Sequence, residues 1–114
     1  MIFTSEERDG IVIVNVNLSR ATMDSAPQFR TFLLDVIEQN PSKVIANLSA
    51  VDFLDSSFLG ALVFGLKKII SGQGEMRIVI AKEAPSGIMS LTKMDQVFQI
   101  FKDLDEAIES FRQS

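Results

Sequence analysis

The sequence contains no cysteine, no histidine, no tryptophan and no tyrosine. Without cysteine there is no disulfide framework, no thiolate nucleophile and no sulfur-ligated zinc. Without histidine the commonest general base and the commonest metal ligand are missing. Ser-His-Asp and Cys-His catalysis are therefore impossible within the chain. Carboxylate chemistry remains open, but the acidic residues show no metal-ligand spacing, so no metal and no cofactor is expected. Basic surplus is lacking too: 15 acidic residues against 11 basic ones give a net charge of −4, which argues against nucleic-acid binding. No apolar run reaches the roughly 18 residues of a membrane span. The start, Met1-Ile2-Phe3-Thr4-Ser5-Glu6-Glu7, has neither the basic opening nor the long apolar stretch of a signal peptide. The expectation is a cytoplasmic protein with no membrane insertion.

What is present is a normal globular balance, 46% hydrophobic and 23% charged over 114 residues, with nine phenylalanines as the entire aromatic content. A chain of this size forms one domain, folding to roughly 6,200 Å² of accessible surface. Asp9-Gly10, Asn40-Pro41, Gly72-Gln73-Gly74 and Ala84-Pro85-Ser86-Gly87 punctuate it.

Residues 1–6 and 11–17 read as a hairpin around Arg8-Asp9-Gly10. Ile11 and Ile13 alternate with Val12, Val14 and Val16, so both faces of that strand are expected to be covered. Residues 24–39 read as a helix with Ala26, Phe29, Leu33, Val36 and Ile37 on one stripe, and Pro27 near its start. Residues 43–48 form a buried strand. Residues 57–71 form the next helix, its core stripe being Leu59, Leu62, Val63, Leu66, Ile69 and Ile70. A strand over 76–81, a short helix over 86–93 and a strand over 97–101 follow. Asp103 and Glu106 open a last helix as a capping-box pattern. The order β-β-α-β-α-β-α-β-α implies an α/β fold. The sheet should be mixed and four- to five-stranded, with about four helices packed largely on one face.

The segment that carries chemistry is Val51-Asp52-Phe53-Leu54-Asp55-Ser56-Ser57-Phe58-Leu59-Gly60. It leads from a strand into a helix, so its hydroxyls lie at a helix N-terminus. One reading is purely local: Ser56 is an N-cap and Asp55 an acid favoured by the helix dipole. The other uses the same place chemically. A hydroxyl held at a helix N-terminus is exposed, and a phosphoryl group on it would gain from the dipole and the unbonded N–H groups.

The chain resembles a STAS domain, the fold shared by anti-sigma factor antagonists and the cytoplasmic tails of sulfate transporters. The likeness rests on Val44-Ile45-Ala46-Asn47-Leu48-Ser49 followed by Val51-Asp52-Phe53-Leu54-Asp55-Ser56-Ser57, which is similar to the family's strand, loop and phosphorylation motif. Gly60, Gly74-Glu75-Met76-Arg77-Ile78-Val79, Pro85, Met94, Val97-Phe98 and Ala107-Ile108 also fall in register, so residues 1–114 are covered as one STAS domain. The resemblance implies a non-enzymatic switch. A partner anti-sigma factor, itself a Ser kinase, phosphorylates the first Ser after the Asp, here Ser56. The dephosphorylated form binds that partner, and a metal-dependent Ser/Thr phosphatase resets the switch.

Two positions depart from the pattern: Phe58 replaces a glycine, and Ser19-Arg20-Ala21-Thr22 stands where the family has Gly-Glu-Leu-Asp. The expected partner surface is Asp55, Ser57, Phe58, Thr22 and Arg20 around Ser56. Phe58 is either an exposed anchor or a core residue packed beneath the Thr22 loop. Lys67-Lys68 reads as a solvated face, and Met89 and Met94 as core. Two other functions remain open: a non-enzymatic STAS subunit docking on a membrane transporter ATPase, and a carboxylate-based enzyme or small-ligand binder.

Overall fold

The computed structural model describes residues 1–113. Strands β1 (Phe3–Arg8) and β2 (Ile11–Val16) form the expected hairpin. Its two-residue turn needs positive φ at both positions, and Asp9 (55°) and Gly10 (78°) supply it. After β2 come β3 (Arg20–Ala21), α1 (Ala26–Ile37), β4 (Lys43–Asn47), β5 (Phe53–Leu54) and α2 (Ser56–Ser71). The chain continues through β6 (Glu75–Val79), α3 (Glu83–Leu91), a 3₁₀ turn at Met94–Gln96, β7 (Gln99–Phe101) and α4 (Leu104–Arg112).

The main sheet is mixed and five-stranded, in the order β1-β2-β4-β6-β7. Only β1 runs antiparallel to its neighbour. Side-chain alternation explains why its central strands read as unbroken apolar runs. Val44 and Ala46 of β4, Met76 and Ile78 of β6, and Val14 and Val16 of β2 point into the larger core, which α1, α2 and α3 close. Ile45, Val79, Ile11 and Ile13 point the other way, onto Ala107, Ile108 and Phe111 of α4. Three helices thus serve one face and a single helix the other. The accessible surface is 6266 Å², close to the value expected for the chain length.

Element ends differ from the sequence expectation for local reasons. Helix α1 begins at Ala26 because the N–H groups of Ser25 and Ala26 both close a turn onto the Thr22 carbonyl. Helix α3 begins three residues earlier than expected. Pro85 lies in its first turn, where no intrahelical N–H bond is required. Asp103 caps α4 as expected, its carboxylate accepting the Glu106 N–H at 2.8 Å. The α2 stripe is rotated: Phe58 and Ala61 are buried, Val63 is half-buried, and Ile70 is 57% exposed.

Helices α1 and α2 approach closely at Gly65, where a Cβ would lie 2.8 Å from Leu33 Cδ1. Gly74 is tighter still, since its Cβ would meet the Pro41 carbonyl oxygen at 2.8 Å and Ile69 Cγ2 at 2.9 Å. Gly60, by contrast, faces open space within 4 Å. Gly60→Ala should therefore raise stability by ~0.5–1 kcal/mol through helix propensity. Gly74→Ala should lower it by ~1–3 kcal/mol through overpacking against rigid backbone. Denaturant midpoints of the two variants check this pair of opposite signs.

Candidate functional site

The loop entering α2 is built as a bracket with a matching loop after β2. Strands β3 and β5 pair in parallel, Arg20 opposite Phe53 and Ala21 opposite Leu54. The N–H groups of Asp52 and Phe53 both donate to the Ser19 carbonyl, at 2.7 and 3.1 Å, and that of Asp55 donates to the Ala21 carbonyl. Asp55 then closes the bracket with its side chain. Oδ1 accepts the Phe58 N–H at 2.9 Å and Oδ2 accepts the Met23 N–H at 2.8 Å.

Asp55, not Ser56, is thus the N-cap, with extended backbone (φ −101°, ψ 175°). Ser56 is the first helical residue and Ser57 the second, and both are exposed. A hydroxyl at this position stands outside the cap hydrogen bond. The first-turn N–H groups have no intrahelical partners, so the place suits an anion.

A second carboxylate braces the outer side of the bracket. Asp52 Oδ2 accepts from Ser19 Oγ at 2.6 Å, and Oδ1 accepts from Lys82 Nζ at 2.7 Å. The Lys82 ammonium, and then the Ser19 hydroxyl, hold the Asp52 carboxyl below the ordinary aspartate range. Lys82 precedes α3, so this pair ties the α2 entry loop to the end of β6.

The five residues expected to surround Ser56 divide. Asp55, Ser57, Thr22 and Arg20 do gather at this end of the molecule, by way of the β3–β5 bracket. Thr22 is half-buried and shapes the turn, its Oγ1 accepting the Asp24 N–H. Phe58 is a correction. It is fully buried, stacked on Phe29 with ring centroids 4.5 Å apart, and lies within a cluster with Phe3. It cannot be an exposed anchor because its backbone, held by Asp55, turns the ring under the helix start.

Two neighbours were missed by the sequence reading. Phe53 is 37% exposed, with the Arg20 guanidinium 4.5 Å over its ring, and Met23 is 67% exposed. Strand alternation is the signal that would have found Phe53, since Leu54 beside it points inward. Among the described residues no cluster of acidic side chains is arranged to hold a metal ion.

The STAS domain profile matches residues 3–107. The chain belongs to the STAS domain family. A Thermotoga maritima protein provisionally named an anti-sigma factor antagonist is 30% identical over 105 residues, covering 91% of this chain and 92% of its own. The crystal structure of an anti-sigma factor antagonist from Mycobacterium paratuberculosis superposes with a TM-score of 0.88 at 28% identity, covering 96% of this STAS domain and 92% of that chain. The Bacillus cell fate determinant SpoIIAA, at 17% identity, shares the fold in its unphosphorylated and phosphorylated forms. Their TM-scores are 0.81 and 0.70, with coverage of 98% and 96% of this chain and 97% and 98% of theirs.

Three expected outcomes follow from this geometry. Phe58→Ala should cost about 3–5 kcal/mol in equilibrium unfolding, as for a core phenylalanine. Asp55→Ala should cost ~0.5–2 kcal/mol as a lost cap and should speed amide hydrogen exchange at both Met23 and Phe58. The third concerns pH. A carboxyl whose folded pKa is depressed contributes stability above its unfolded pKa, and that contribution is lost as pH falls through the folded value. Wild-type stability should fall with acid more steeply than that of Lys82→Met in the window just below the ordinary aspartate pKa. Carboxyl NMR titration should show Asp52 moving back up in the variant.

Proposed function

We propose that this STAS domain is a phosphorylation-controlled binding switch of the anti-sigma factor antagonist type, with Ser56 as the acceptor. The carrying observation is the exposed Ser56 hydroxyl at the first position of α2, outside the Asp55 cap. Its partner is an anti-sigma factor that is also a Ser kinase, working in the cytoplasm where its ATP is. Ser56 Oγ attacks the γ-phosphorus of ATP held by the kinase. The O–P bond forms as the bond to the β-phosphate oxygen breaks, ADP leaves, and the hydroxyl proton passes to a kinase base. Asp55 serves as the cap, each of its oxygens accepting a backbone N–H. A metal-dependent Ser/Thr phosphatase hydrolyses the ester and resets the switch.

The mechanism is local charge. Phosphorylation adds about −1.5 to −2 units beside Asp55. The helix start tolerates it through the dipole and first-turn N–H groups. A partner surface packed over Ser56 would have to desolvate that dianion, which is costly without matched cations. The contact surface in this reading is Ser56 and Ser57 with Asp55, Thr22 and the Arg20–Phe53 pair, extended by Met23 and lacking Phe58. Phe53 and Met23 supply the apolar area that interface cores favour.

Binding measurements on the purified kinase test the reading. Ser56→Ala should bind constitutively, Ser56→Asp poorly and the phosphorylated protein not at all. Phe53→Ala should weaken binding about tenfold or more, as a hot-spot truncation above ~1.4 kcal/mol, with little loss of stability. Equal affinity of the Ala, Asp and phosphorylated forms would remove Ser56 as the switch and favour a constitutive docking subunit, such as one on a transporter ATPase.

A further inference from the structure

Helix α2 has an outward side that the core does not use. Over its 16 residues it carries no acidic side chain. From Ser56 the outward stripe runs at helical spacing through Gly60, Val63, Lys67 and Ile70. Gly60 is exposed with open space around it, Val63 is half-buried, and Ile70 stands 57% exposed at the far end. Beside the stripe lies Phe64, with the Arg30 guanidinium of α1 4.4 Å and the Lys68 ammonium 5.8 Å from its ring centre. Arg30, Lys67 and Lys68 form no ion pair among the described residues. In a chain of net charge −4, three cations with no ion-pair partner among the described residues lie on or beside a stripe whose apolar side chains are Val63 and Ile70.

We propose that this stripe docks an amphipathic helix of a partner protein whose apolar ridge is flanked by Asp or Glu. Charge complementarity selects the occupant. Acidic flanks would meet Arg30, Lys67 and Lys68, while the apolar ridge would cover Val63 and Ile70. The missing side chain at Gly60 lets that ridge approach the α2 backbone. From Ser56 to Ile70 the stripe is about 21 Å long, a straight track of helical length. A second copy of this chain fits badly, because a two-fold contact brings two sets of these cations into one interface and α2 has no acidic side chain to offset them. A lipid surface fits less well than a helix, because the chain as a whole is anionic. The stripe begins at Ser56, so the proposal deepens the switch reading by extending the partner surface along α2. It rests on that reading only for the partner's identity.

The test needs no kinase. The isotopically labelled protein is titrated by NMR with a synthetic helical peptide, leucines on one face and glutamates flanking them. A lysine-flanked counterpart and phosphatidylglycerol vesicles are run in parallel. The glutamate peptide should shift the amides of Gly60, Val63, Lys67 and Ile70. Its affinity should fall about tenfold or more in the R30E/K67E/K68E variant, and fall with added salt. The lysine peptide should bind that variant in its place through the same α2 amides, and the variant's retained amide dispersion shows it to be folded. No binding, equal binding of both peptides to the wild type, or shifts away from α2 would overturn the proposal. Tighter binding of vesicles through the same amides would replace it with a lipid surface. Kinase binding that still responds to Ser56→Asp, with no peptide bound on α2, would remove the stripe and leave the switch.

Discussion

The site depends on one carboxylate that accepts two backbone N–H groups from different parts of the chain. Asp55 holds Phe58 at the start of α2 and Met23 in the loop before α1. The first bond caps the helix, and the second fixes a loop from which Thr22 and Arg20 reach the same surface. Because Asp55 is the cap, Ser56 is released from that duty and its hydroxyl stands exposed. Because Phe58 N–H is pinned, the Phe58 ring turns inward onto Phe29 and Phe3. Exposure of Ser56 and anchorage of the helix start are two results of the same geometry.

Around that contact the rest of the fold supplies rigidity. The β3–β5 pair and the Ser19 carbonyl hold the two loops side by side, and Asp52 extends the hold to Lys82. Asp52 is exposed, so this brace acts through geometry and local charge more than through stability. The parallel strands, covered on both faces, give the loops a fixed base. The proposed switch requires such a frame, because a charge added at Ser56 would be read by surface complementarity.

The large features were legible because they rest on periodicity and punctuation. The Asp9-Gly10 hairpin, the four helices and the Asp103 cap are all local signals, whereas the two-residue strands β3 and β5 are too short to leave a periodic one, and the α2 stripe is rotated from its expected face. The fate of Phe58 was not legible, because it lies one residue before the start of the regular apolar stripe and its inward turn is set by the Asp55 bond. The identity of the cap was ambiguous for a related reason. Asp55 and Ser56 are both good caps, and the bond that Asp55 also makes to Met23 across the loop leaves no trace in the local sequence. The Asp52–Lys82 pair joins residues distant in sequence and gives no local pattern at all. Phe53 was the avoidable miss, since a two-residue strand still alternates.

The central claim is that phosphorylation at Ser56 acts by local charge on an unchanged frame. Amide chemical shifts and hydrogen exchange of the phosphorylated and unphosphorylated protein test it most directly. The account predicts changes confined to residues 19–24 and 52–60, with the Met23 and Phe58 amides still protected by Asp55. Loss of protection at those two amides, or shifts spreading into α1 and the central strands, would contradict it and make the switch a conformational one.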